Sequence, residues 1–168
     1  MRFVISGEWT KNSLLRLIMF FFLFYIAFFW LTNLLLFLNK MSLSADSIID
    51  YYRGSEQHYT QPRSYQGLLE ISHFHLFAMG ILILTLTHLL LFAPISVSLK
   101  AWLIIATFSS AFLDEAASWL VRFAHPSFAY LKIAAFIGLQ LSLLLVMIIV
   151  LHALITKQPS AYTNSRSS

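Results

Sequence analysis

Six side chains able to ionise or ligate lie inside long apolar stretches of this chain: His73, His75, His88, Asp114, Glu115 and His152. Glu70 and His125 stand at the edges of such stretches. An ionisable group in hydrocarbon is costly, so each is a functional hypothesis by default. Imidazoles from two helices at one depth can ligate the iron of a haem from both sides. Carboxylates beside imidazoles can hold and pass a proton, or bind a metal ion. A buried histidine in a bundle is also often just a hydrogen-bonded packing residue.

Helical geometry sorts these residues. At about 100° and 1.5 Å per residue, His73 and His88 are about 60° apart in azimuth and about 22 Å apart in height. His75 lies about 200° from His73, so the two cannot chelate one metal while helical. Glu70, three residues before His73, is placed to orient its ring. Thr107, Ser110, Asp114 and Ser118 fall within about 80° of one another. That stripe predicts a polar face turned to the bundle interior. Tyr25, Thr32 and Asn33 on the first apolar run, and Gln140 and Ser142 on the last, add to the intramembrane polar set.

The elements that must position these residues follow from composition. Of 168 residues, 59% are hydrophobic and 11% charged, against about 25% charged in a soluble domain. The length allows one domain. The chain carries a net +4, but its basic residues flank apolar runs, which marks topology signals rather than a nucleic-acid surface. The absence of cysteine excludes disulfides, thiolate metal sites and covalent haem attachment.

Four apolar runs predict four transmembrane helices over about 17–38, 68–93, 100–121 and 127–156, an all-α membrane bundle. A segment 1–16 precedes them, a polar loop 39–66 separates the first two, and a tail 157–168 is expected to be disordered. The first run is 22 residues without a charge, too long for a secretory signal core of about 7–15, so it reads as a retained helix. Its many phenylalanines read as lipid-facing bulk. Residues 45–52 predict a short amphipathic turn in the interface. Pro94 predicts the end of the second helix near Ala93, and Pro126 suits the first turn of the fourth.

Four spans put both termini on one side. With termini inside, the inner segments hold Arg2, Lys11, Arg16, Lys100, Lys157 and Arg166. The outer ones hold Lys40, Arg53, Arg63, Arg122 and Lys132. The bias predicts cytoplasmic termini, in a bacterium across the inner membrane. His88 and His152 then share one depth near the inner end, which makes them the haem candidates. His73, His75 and His125 are weaker candidates and gather with Asp114, Glu115 and Glu70 towards the outer end, where a proton or metal site fits better.

The His73 and His88 spacing on one helix face resembles the paired haem histidines of small four-helix membrane b-type cytochromes. The resemblance is one of architecture, confined to helices two and four, and implies a non-covalent haem b and electron transfer. It departs from that class in lacking an equivalent pair on a second helix. Three functions stay open: a b-haem electron-transfer subunit using His88 and His152; a proton- or metal-coupled transport element using His73 or His75 with Asp114 and Glu115; and a structural or assembly subunit of a larger membrane complex. Short helices with small loops leave little room for a substrate cavity, which argues against a stand-alone enzyme. The expected partners are the lipid bilayer and either other membrane subunits or further copies of the chain, with no nucleic acid.

Overall fold

Asn12 accepts hydrogen bonds from the backbone N–H groups of Leu14 and Leu15 at 3.0 and 3.3 Å, and so starts the first helix, α1 (Ser13–Lys40). Serine side chains do the same for the next three: Ser44 for α2 (Ala45–Arg53), Ser64 for α3 (Tyr65–Leu90) and Ser96 for α4 (Val97–Trp119). Each satisfies an N–H group that the first turn leaves without an intrahelical partner. The last helix, α5 (Phe128–Ile155), is entered instead through tight bonds from Phe128 to His125 and from Ala129 to Pro126. The computed structural model describes residues 12–156. Residues 1–11 of the expected N-terminal segment and the 157–168 tail lie outside that range.

The fold is all-α. Four helices, Ser13–Lys40, Tyr65–Leu90, Val97–Ala124 and Phe128–Ile155, are long and apolar enough to cross a membrane. α3 ends three residues before the expected Ala93, because Pro94 cannot continue a helix and residues 91–93 close instead as a tighter turn. α4 does not stop at Trp119. It widens into a π-helical turn, Leu120–Ala124, closed by the bond from His125 N–H to the Leu120 carbonyl at 3.0 Å. The interfacial segment is a nine-residue helix, α2, whose Ile48 and Tyr52 are buried against α5 and the π turn.

α5 is the centre of the bundle and α4 its closest partner. In lipid, helix association depends on close van der Waals contact rather than on excluding water. Gly138 supplies that closeness: a Cβ there would lie 2.8 Å from the Ser110 Oγ of α4. Two apolar cores result. One joins Ile26, Ile83, Leu86, Leu143, Val146 and Val150 across α1, α3 and α5. The other lies at the α2 end and joins Phe37, Ile48, Leu68, Val121 and Phe136, with the Phe37 and Phe136 rings stacked at 3.7 Å. Along α1, α3 and α4, a polar layer separates the two.

Candidate functional site

That layer is built from one turn each of α3 and α4, plus one long side chain from α5. On α3, the helix rotation that buries Ser72 leaves His75, about 60° away, half exposed at the edge of the same face. On α4, Asp114, Glu115 and Ser118 follow one another around the face packed on α3 and α5. All lie roughly 10–15 Å along their helices from the α2 end. Lys132 stands only about 6 Å into α5, and its side chain runs further inwards rather than out to the boundary.

Two side-chain pairs form there. Lys132 Nζ is 2.8 Å from Asp114 Oδ1 and also donates to the Asp114 backbone carbonyl at 3.0 Å. The Lys132 side chain is buried, at 6% exposure, and that of Asp114 is partly buried, at 16%. His75 Nδ1 lies 3.5 Å from Glu115 Oε2, with the imidazole half exposed and the carboxylate largely buried. The other Glu115 oxygen accepts from Ser72, which in turn accepts from the Trp119 indole at 2.7 Å. Ser118 donates to the Asp114 carbonyl at 3.2 Å. Its hydroxyl oxygen is therefore left to accept from the Tyr52 phenol, 2.9 Å away. Burial pushes the Tyr52 phenol above its ordinary value, with the nearby Lys132 acting the other way.

Two cavities meet at this cluster. One, of about 190 Å³, extends towards the membrane centre past Met79, Gly80 and Phe108. The other, of about 160 Å³, extends towards the α2 end past Tyr51, Arg63 and Lys40. Asn33, His75, Asp114 and Glu115 line both. Deeper in α5, the Gln140 amide is buried without a hydrogen-bond partner among the described residues, while its backbone carbonyl accepts from the Trp30 indole at 3.1 Å.

Of the outer group expected from sequence, only His75 joins the two acids. His73 faces outwards with its ring against Phe74. Glu70 is exposed and accepts from Gln66 at 2.9 Å rather than orienting His73. His125 is exposed in the turn between α4 and α5 and accepts there from Ser127 N–H at 3.2 Å. Azimuth separates His73 from the site, and the chain turn removes His125. No group of three or more His, Asp or Glu able to hold a metal ion occurs among the described residues, and the Asp114 carboxylate is taken by Lys132. His88 and His152 lie near the far ends of α3 and α5, at one end of the bundle, but both are exposed. Neither lines either cavity.

Lys132 corrects the sequence-based charge tally: it is not a boundary charge but the cation of the buried pair. One signal was available, since Lys132, Phe136 and Gln140 repeat every four residues on the buried stripe of α5. Ser72, Trp119 and Tyr52 carried no comparable signal.

Fold and cluster together define a polytopic membrane protein, a helical bundle with an interior ion pair and a carboxylate–imidazole pair beside it. The chain belongs to the family of transmembrane helical domains designated Aq_1264_TM, whose model matches residues 42–161. The match takes in α2 to α5 and leaves α1 outside. Comparison with curated proteins and with solved structures yields no match.

Proposed function

We propose that this protein is a proton-handling transmembrane element, in which Glu115 and His75 take up and release a proton within the bilayer. The observation that carries this is the Glu115–His75 pair at the junction of the two cavities. Lys132 already balances Asp114, so the charge of Glu115 is left to His75. Imidazole is suited to proton exchange near neutral pH. With His75 protonated the four groups are neutral together; with His75 neutral they carry one negative charge. Cavities on both sides of the pair offer water a route to it, and the Gln140 amide, unpaired among the described residues, is a site for a buried water further in.

The membrane orientation proposed with it puts the α2 end outside, in a bacterial inner membrane. With Lys132 removed from the tally, four basic residues remain at that end against six at the other, a stronger bias towards cytoplasmic termini. A haem held by His88 and His152 has less support, since both rings stand on outward faces and would have to bind it at the bundle surface or between copies.

The test uses the full chain in proteoliposomes carrying an internal pH dye, with a potassium diffusion potential imposed. Internal acidification should exceed that of empty liposomes. Glu115→Gln and His75→Ala should abolish the excess, while His73→Ala should keep it. Flux no greater than in empty liposomes, or unchanged in Glu115→Gln, would overturn the proposal and favour the structural-subunit reading.

A further inference from the structure

The α2 end of the bundle carries an aromatic girdle. Tyr65 and Trp119 meet edge to face at 5.4 Å, and Phe123 joins both rings. Tyrosine and tryptophan favour the membrane–water boundary, so this girdle marks the level of the lipid headgroups. At the same end, the outer cavity opens between α1 and α3 beside two cations, Lys40 and Arg63. No carboxylate pairs with either among the described residues.

Arg63 is held in place from three sides. Its N–H donates to the Tyr52 carbonyl at 3.0 Å. Its guanidinium lies over the Tyr51 ring, 4.1 Å from the centroid. Its carbonyl accepts from Arg122 Nε at 2.7 Å. The two backbone bonds fix where the side chain starts and the stacking on Tyr51 restricts the guanidinium, so less side-chain entropy is left to lose when an anion binds. Below the two cations the exposed side chains of Leu36 on α1 and Ile71 on α3 flank the opening, while the polar cluster forms the inner side of the cavity. A cationic rim at headgroup depth, with an apolar flank between α1 and α3 facing the lipid, matches an amphiphile with an anionic head and a hydrocarbon tail.

We infer that Lys40 and Arg63 bind the phosphate of an anionic phospholipid, whose acyl chain lies between α1 and α3. The bound headgroup would sit over the cavity that leads to Glu115 and His75, and so cover the outer access to that pair. The binding site itself does not depend on the proton reading.

The experiment is native mass spectrometry of the full chain in neutral detergent, titrated with phosphatidylglycerol or phosphatidylcholine of identical acyl chains. Two cations near a phosphate predict retention of phosphatidylglycerol over phosphatidylcholine on the order of tenfold. The Lys40→Gln/Arg63→Gln double variant should bind both lipids alike. Lys100→Gln, at the opposite end, should keep the preference. If the double variant does not fold, Lys40→Arg/Arg63→Lys keeps both charges and should retain it. Inorganic phosphate at millimolar concentration should leave the bound lipid in place. Equal retention of the two lipids by the wild type, an unchanged preference in the double-glutamine variant, a preference lost in the charge-conserving variant, or displacement by inorganic phosphate would each overturn the inference. A lipid preference without proton flux in liposomes would retain this site and dismiss only the proton reading.

Discussion

Breaking the Lys132–Asp114 pair from one side and then from both separates a charge-balancing role from simple packing. Removing one partner of a buried pair costs about 3–5 kcal/mol, because the other charge stays buried and alone, while replacing both by apolar groups of similar volume is neutral or stabilising. Asp114→Asn keeps an oxygen acceptor in place, and Lys132 keeps its 3.0 Å bond to the Asp114 backbone carbonyl. Its cost should therefore fall near 3 kcal/mol. Lys132→Met leaves Asp114 beside Glu115 with only His75 to offset two carboxylates, which points to about 5 kcal/mol. For a chain of this size each kcal/mol moves the midpoint by about 2–4 °C. Thermal unfolding in detergent, followed by tryptophan fluorescence, should then fall by roughly 6–12 °C for Asp114→Asn and about 10–20 °C for Lys132→Met. Asp114→Leu/Lys132→Met should recover to within a few degrees of the wild type. A double variant as unstable as Lys132→Met, or single variants that melt like the wild type, would refute the pairing argument.

Tyr52→Phe should lose about 1–2 kcal/mol through the buried bond to Ser118. Because the folded-state phenol titrates above its ordinary value of 10.0, its contribution is complete below that pH and is lost as pH rises beyond it. The alkaline fall in wild-type stability should therefore be shallower in Tyr52→Phe, measured by unfolding at a series of pH values. Gly54 has φ +81°, and a Cβ there would lie 2.6 Å from the Thr60 carbonyl and 2.8 Å from Pro62 N. Gly54→Ala should consequently cost about 1–3 kcal/mol and speed proteolysis between α2 and α3. Reporter fusions after Tyr59 and after Lys157 should report opposite sides of the membrane, and agreement between them would remove the four-span topology. A reduced-minus-oxidised absorption spectrum of purified protein should show no α band; a band lost in both His88→Ala and His152→Ala would instead establish the haem.

The helix class and the four spans were legible in the residues themselves. Apolar runs long enough to cross hydrocarbon, ended by Pro94 and by charged or proline-bearing turns, are local properties that need no partner to be read. The polar stripe on α4 was legible for a related reason, since helical periodicity alone puts Asp114 and Ser118 on one face. That it turns to the bundle interior was read from sequence as well, but which side chains it meets there was not. Asp114 meets Lys132 across 18 positions, and Ser72 meets Glu115 across 43, so both contacts depend on how each helix is rotated about its axis. In a soluble helix the apolar face reveals that rotation. Here residues on every face of α1 and α5 are apolar, because lipid and core are equally oily, and periodicity loses its contrast. The bundle's own packing, with Gly138 against Ser110 and with Leu68, Ser72, Ile83 and Leu86 of α3 buried, therefore decided that His75 rather than His73 reaches the acids and that Lys132 is a buried partner rather than a boundary charge.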